Sequence, residues 1–108
     1  MHELPSFDYF VAHQGSPFCL SLVGGQSVTL ELREVSQRIA MSERYECFSL
    51  DFRLPPGLAL GQGLYRVGGP CGNAWELLLT PLLPDRQGRH CLEAVFHREK
   101  PGAAALPG

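Results

Sequence analysis

The residue types best suited to chemistry in this chain are its four cysteines and four histidines. The cysteines, Cys19, Cys47, Cys71 and Cys91, are spaced 28, 24 and 20 residues apart. They form no CxxC pair and no Cys/His spacing of the kind that closes a zinc site. The sequence therefore predicts no metal site, no cofactor and free thiols in a reducing compartment. The redox state stays open for an oxidising compartment, where four cysteines allow three disulfide connectivities.

The histidines do not converge on a catalytic arrangement. His90 beside Cys91 comes closest, because a thiolate nucleophile needs a base nearby. A base of this kind must be oriented by a third group, and the pattern places no Asp or Asn to do so. The Gly24-Gly25 and Gly68-Gly69 pairs precede strand-like segments, so they indicate hairpin turns rather than phosphate loops. The sequence predicts no catalytic residue and no enzyme.

Length and charge narrow the class of protein further. The chain has 108 residues, 44% of them apolar, with 9 Lys plus Arg against 11 Asp plus Glu. This length supports one small core, and the near-neutral, dispersed charge argues against nucleic acid as a partner. The longest apolar runs, residues 77–79 and 103–106, are far too short for a membrane span, and no signal-peptide pattern opens the chain. We expect a cytoplasmic protein that binds no membrane.

Hydrophobic periodicity predicts one helix followed by strands. Residues 6–14 have the features of a short helix: Ser6 can cap it, Gly15 can close it, and Phe7, Phe10 and Val11 share a face. From Pro17 onward the period is 2, which is typical of strands. Six segments alternate in this way, and their predicted inward residues are Phe18, Leu20, Leu22, Val28, Leu30, Leu32, Phe48, Leu50, Phe52, Tyr65, Val67, Trp75, Leu77, Leu79, Leu92, Ala94 and Phe96.

Six short antiparallel strands with one apolar face must cover that face. The predicted fold class is therefore mainly β: a six-stranded antiparallel small barrel or a two-layer meander, with one short N-terminal α-helix. The helix would cap an open end or cover one side, and Leu58 and Leu60 would fill another gap. Residues 1–98 are predicted to form a single domain, and residues 99–108, with two prolines and no period, a flexible tail.

Turn positions and a common inward face predict four strand registers, since a slip of one residue would expose every inward side chain. The predicted neighbours are Leu22 with Val28, Leu32 with Phe48, Val67 with Trp75, and Leu79 with Ala94.

The same registers place Leu64, Leu78 and Val95 in a row on the outer face of three adjacent strands, where polar residues are expected. Either the N-terminal helix covers this row, or the row is a surface for self-association or for a protein partner. Beside it, Arg66 falls opposite Glu76, which is typical of a cross-strand ion pair.

Several segments together resemble a known family. They are FDYFVAHQGSPFCL, VTLELREVS, ECFSLDFRLPPGLALGQGLYRV, WELLLTPLLPDRQG and CLEAVFHRE. Residues 7–97 resemble a family of short bacterial proteins catalogued as a domain of unknown function, with FxxHxGxxF, FSLxFR, QGxYR and EAVF segments. The cysteines and the GGPCG turn lie outside the family pattern. The resemblance implies a small, mostly β domain of bacterial origin, found beside phage-tail-like proteins, with no established activity.

Two functions are compatible with these features. The first is a non-enzymatic interaction or assembly module, associated with phage tails, whose partner is an unknown protein or a second copy of the chain. The alternative is a small-ligand-binding β-barrel, which requires an interior cavity. The large predicted inward side chains favour the first function, because they would fill a small barrel.

Overall fold

The computed structural model of the protein describes residues 6–38, 43 and 45–99. All strand pairs are antiparallel, and β4 pairs with β1, so that the order β1-β2-β3-β6-β5-β4 closes into a barrel. The mainly β prediction is confirmed, and the barrel is found rather than the two-layer meander. The elements are α1 Phe7–Ala12, β1 Pro17–Ser21, β2 Ser27–Arg38, β3 Tyr45–Arg53, β4 Gly63–Gly68, β5 Ala74–Leu82 and β6 Cys91–Glu99.

Helix α1 is shorter than the predicted span of 6–14. It begins after Ser6, whose hydroxyl accepts a hydrogen bond from the Tyr9 backbone N–H at 3.4 Å, as expected of an N-cap. Gly15 takes a left-handed conformation with φ of 88°, and its N–H donates to the Leu32 carbonyl at 2.7 Å, which ties the turn to β2. The part of the chain described by the structure contains no helix long and apolar enough to cross a membrane.

The helix closes one end of the barrel through Phe10, which is fully buried. The Phe10 ring lies 5.8 to 6.4 Å, between centroids, from four inward rings on four different strands. Only a residue inserted over the mouth of the barrel can reach side chains on so many strands. The four rings belong to Phe18, Phe48, Trp75 and Phe96.

Loop residues contribute to the core as well. Leu54, which the strand pattern did not include, is fully buried, and its carbonyl accepts two hydrogen bonds from the Arg89 guanidinium, at 3.0 and 2.6 Å. Leu58 and Leu60 are partly buried against the core, as expected. Strand β6 continues to Glu99, the first residue of the predicted tail, and residues 100–108 lie outside the described part of the chain.

The registers of the second half of the barrel agree with the sequence. Val67 lies opposite Trp75 in the β4–β5 pair, as predicted. In the β5–β6 pair, Thr80 lies opposite Glu93. This is the predicted register, because one residue further along it Leu79 is the partner of Ala94.

The registers of the first half do not agree. Leu20, not Leu22, lies opposite Val28, because residues 22–26 form the hairpin loop, closed by a bond from the Leu22 N–H to the Gln26 carbonyl. This shift of two positions leaves the inward face unchanged.

The predicted register between β2 and β3 is wrong by more than two positions. Leu32 lies opposite Phe52 rather than Phe48, and a bulge between Leu32 and Glu34 moves the inward phase so that Val35 pairs with Leu50. A bulge adds one residue to one strand, and alternation alone gives no sign of it here.

Candidate functional site

Leu64, Leu78 and Val95, called the outer row below, lie together on the outside of the barrel. They occupy the adjacent strands β4, β5 and β6, and Leu64 is directly opposite Leu78. The β5–β6 register, continued from the Thr80–Glu93 pair, places Val95 opposite Leu78. The exposed fractions are 66% for Leu64 and 53% for each of the other two. The structure thus brings the three residues together as the sequence predicted.

The helix does not cover the outer row. Phe7 and Tyr9 pack against the core at the end of the barrel, together with the buried Phe10, and not against the outer face. The first account of the row, that α1 shields it, is therefore wrong. The reason is that the strongest apolar contact open to Phe10 is the aromatic mouth of the barrel.

Polar residues flank the outer row on both sides. On one side Arg66 lies opposite Glu76, as predicted; both are exposed, and the described atoms record no ion pair between them. On the other side Thr80 lies opposite Glu93, whose carboxylate binds Arg38 at 2.8 Å. An apolar centre with a polar rim is the general anatomy of a protein interface.

The outer face of the first half is charged instead. Arg33 on β2 pairs with Asp51 on β3, and 14% of the Asp51 side chain is exposed. Arg53 pairs with Glu31, and also with Asp85 at 3.4 Å. The Asp51 carboxylate beside Arg33 raises the pKa of that guanidinium above its ordinary value. These ion pairs join neighbouring elements, and among the described residues no large apolar side chain of β1, β2 or β3 is exposed.

Cys91, the cysteine beside His90, does not have the environment of a nucleophile. Its thiol is 1% exposed and lies 3.8 Å from the Arg89 carbonyl, to which it donates. Burial raises the pKa of Cys91, and the nearby Asp51 carboxylate raises it further. The thiol is therefore held in its neutral form.

A different cysteine has a titratable partner that the sequence did not reveal. The exposed Cys71, in the β4–β5 turn, has its Sγ 3.9 Å from Nε2 of His13, which caps the C-terminal end of α1. The Tyr9 ring packs against the His13 ring at 4.5 Å between centroids. Burial raises the pKa of Tyr9, and the neighbouring Cys71 thiol raises it further. We call these three residues the thiol cluster.

The position of the thiol cluster depends on close packing between the turn and the helix. A Cβ added at Gly69 would lie 2.6 Å from a ring carbon of Trp75 and 2.8 Å from the Tyr9 hydroxyl, so the turn backbone rests directly on these two rings. His13 and Cys71 are 58 residues apart. Short-range spacing therefore carries no signal of the cluster, which forms only because α1 docks beside this turn.

No group of three or more His, Cys, Asp or Glu side chains that could hold a metal ion occurs among the described residues. The four cysteines are free thiols.

A closed six-stranded antiparallel barrel with a helix across one end is the class of protein that the structure defines. Within that class the chain belongs to DUF6916, a family described as a domain of unknown function, which matches residues 5–96. This match confirms the expected membership of a family whose function is undescribed. No curated protein and no solved structure matches the chain.

Proposed function

We propose that this domain is a non-enzymatic assembly module that binds a second copy of itself through the outer row. The observation that carries the proposal is the exposure of three large apolar side chains, each more than half exposed, in one continuous row across three strands. Scattered apolar residues are normal on protein surfaces, whereas contiguous ones indicate an interaction site. The barrel core has its own set of apolar residues, and within the described part of the chain the row does not belong to it.

The charges around the row fit a second copy of the chain. A two-fold axis along the row would place the row of one copy on the row of the other. Glu76 would then face Thr80 of the second copy, and His97 would face Glu93. No two like charges meet in this arrangement, and two-fold contacts of this self-complementary kind are the commonest in soluble oligomers.

The small size of the row predicts a weak dimer. Burying the remaining exposed surface of each side chain contributes about 1–2 kcal/mol, since complete burial contributes about 1.5–3 kcal/mol. Six such side chains contribute about 6–12 kcal/mol in a dimer, which exceeds the lower part of the association cost of about 4–15 kcal/mol by only a few kcal/mol. A net gain of about 4–7 kcal/mol corresponds to dissociation constants from about 10 μM to 1 mM. Such affinity suits assemblies in which many copies are held side by side.

The alternative of a small-ligand barrel has less support. Trp75 and the aromatic residues at the mouth fill the inside of the barrel, with relative exposures of 9% or less. A depression of about 350 Å³ lies outside the barrel core and is lined by loop and rim residues such as Arg53, Pro55 and Arg89.

The setting we propose is the bacterial cytoplasm, in an assembly beside phage-tail-like proteins. The unpaired cysteines support a reducing compartment. The phage-tail setting is an implication of the family resemblance, and a repeating assembly of that kind would use weak contacts between copies.

Sedimentation velocity at protein concentrations from about 10 μM to 1 mM tests the proposal. We expect the wild-type chain to shift from monomer to dimer over this range. The Leu78→Glu variant should stay monomeric, because it would place two carboxylates at the centre of the two-fold contact. The matched control is Leu83→Glu, the same substitution at a leucine that is 89% exposed and outside the row; it should dimerise as the wild type does.

A wild-type chain that is monomeric at every concentration would overturn the proposal. So would equal loss of dimer in the Leu78→Glu and Leu83→Glu variants, since general charge repulsion would then explain both. Thermal melts of the variants separate association from folding: an exposed position should change stability by less than about 0.5 kcal/mol.

A further inference from the structure

We propose that Cys71 is a site of reversible thiol–disulfide exchange with small disulfides, with His13 as the base that takes the thiol proton and Tyr9 as a hydrogen-bond donor to the thiolate. The proposal goes beyond the assembly function and uses a different surface. It stands on the geometry of the thiol cluster, in which a nucleophile, a base and a donor from two distant segments meet at one turn.

His13 is placed to accept the proton of the Cys71 thiol. Its Nε2 faces Sγ at 3.9 Å, a distance typical of a long hydrogen bond to sulfur in a resting site. The backbone N–H of His13 is bonded to the carbonyls of Tyr9 and Phe10, at 3.2 and 3.1 Å. The imidazole therefore lies on a fixed turn and not on a free loop.

Tyr9 supplies the donor. Its hydroxyl is buried, with no hydrogen bond of ordinary geometry, although a buried hydroxyl is costly when it is left unpaired. Burial, reinforced by the Cys71 thiol, raises the pKa of Tyr9, so the phenol keeps its proton under conditions in which thiolates form. A thiolate at Cys71 would give this hydroxyl the acceptor that it lacks.

Access separates Cys71 from Cys91, and the contact with His13 separates it from Cys19. Cys71 is exposed between the exposed residues Pro70 and Gly72, so a small disulfide can approach its sulfur. Cys91 is buried and cannot be reached in the folded chain. Cys19 is exposed but, within the described residues, makes no side-chain contact with a histidine. It is the internal control.

The exchange step balances as follows. His13 takes the proton of the Cys71 thiol, and the thiolate attacks one sulfur of the disulfide along the S–S axis. The Cys71–sulfur bond forms while the S–S bond of the reagent breaks, and the leaving thiolate takes the proton from His13. The Cys71 sulfur is oxidised and the leaving sulfur is reduced, so no other oxidant is required. Excess small thiol reverses the step.

The experiment measures thiolation by oxidised glutathione at each cysteine of the full chain, by peptide mass spectrometry, from pH 5 to 9. At pH 7 we expect Cys71 to react at least about tenfold faster than Cys19. The pH dependence of the Cys71 rate should also differ from that of the Cys19 rate, because His13 takes the proton of the Cys71 thiol alone. Equal rates at the two cysteines would overturn the proposal.

Two variants separate chemistry from structure. His13→Gln should lower the Cys71 rate about tenfold and remove the difference in pH dependence between Cys71 and Cys19. Tyr9→Phe should lower the Cys71 rate about threefold while that difference remains. The Cys19 rate, read in the same samples, should not change in either variant. A Cys71 rate that is unchanged in His13→Gln would contradict the proposal, as would a parallel rise at Cys71 and Cys19, which indicates loosening of the whole fold.

Cys71→Ser keeps this inference separate from the assembly function. The variant should lose thiolation at residue 71 and dimerise as the wild type does, because the outer row lies on a different face from the thiol cluster.

Discussion

The two halves of the barrel present different outer faces. In the half made of β1, β2 and β3, outward charges pair across strands, as in the Arg33–Asp51 and Arg53–Glu31 ion pairs. In the half made of β4, β5 and β6, the outer row stands open to solvent. Both halves contribute apolar residues to the same core. Both halves therefore fill the inside of the barrel, and the large apolar side chains that are exposed on the described strands all lie on the second half.

The same two halves differ in how well their sequences specify a register. In β4 and β5, every residue lies opposite its predicted partner, because a single turn and a regular alternation determine the register. In β2, which runs for 12 residues, the bulge after Leu32 breaks the alternation in mid-strand. A register is predictable where turn and alternation agree along the whole strand, and it fails where a strand changes phase.

The largest expected effect comes from removing the side chain that contacts both halves at the mouth of the barrel. Phe10 contacts Phe18 and Phe48 from one half and Trp75 and Phe96 from the other. We expect Phe10→Ala to lower the free energy of unfolding by about 3–5 kcal/mol, because it leaves a cavity between four rings. Urea unfolding followed by tryptophan fluorescence measures the loss.

The control for this prediction is the neighbouring Val11→Ala, at a side chain that is 46% exposed, which should cost less than about 1 kcal/mol. A loss below about 1 kcal/mol for Phe10→Ala as well would mean that strand pairing alone closes the barrel.

A smaller effect is expected at the turn of the second half. Gly69→Ala would force its Cβ against the rings of Trp75 and Tyr9, and overpacking of this kind costs about 1–3 kcal/mol. Gly61→Ala is the matched change, because a Cβ there meets nothing within 4 Å. We expect Gly61→Ala to be neutral or to stabilise the protein by up to about 1 kcal/mol. Thermal melts compare the two, and equal effects would contradict the close approach at Gly69.

The fold class followed from the sequence because period and turn chemistry indicate the same arrangement. Alternation marked most inward residues of the six strands, although not Val35, which lies beyond the bulge in β2. The predicted β1–β2 register was wrong by two positions, an even number, so it kept the same residues inward. Closure of the barrel did not follow. It requires β1 to pair with β4 and β3 to pair with β6, and strands so far apart in the chain leave no turn between them to read.

The two candidate sites also differ in how far the sequence predicts them. The outer row was predictable because Leu64, Leu78 and Val95 interrupt polar positions in strands joined by hairpins. The thiol cluster was not, because His13 reaches Cys71 only after α1 has docked on the mouth of the barrel. His90 and Cys91 are the histidine and cysteine that are adjacent in the chain, but burial makes the Cys91 thiol inert.

The smallest expected effect concerns the ion pairs that join the two halves. Asp85, in the loop between β5 and β6, accepts hydrogen bonds from the backbone N–H groups of Gln87 and Arg89 at 2.9 and 3.0 Å, and it pairs with Arg53 of β3. The Arg89 N–H is the main cause that lowers the pKa of Asp85 below the ordinary value of 3.8. The folded chain therefore binds fewer protons at this group than the unfolded chain does.

Stability should fall in acid because of Asp85. The stabilisation by Asp85 is complete above pH 3.8 and is lost as the pH falls through the lower pKa of the folded state. We expect the melting temperatures of the wild type and Asp85→Asn to differ most above this range and to converge in stronger acid. The control is Glu76→Gln, which removes one carboxylate from an exposed outer position of the second half. If the Asp85→Asn curve instead runs parallel to the wild type down to pH 2, Asp85 contributes no proton-linked stability, which would contradict the prediction.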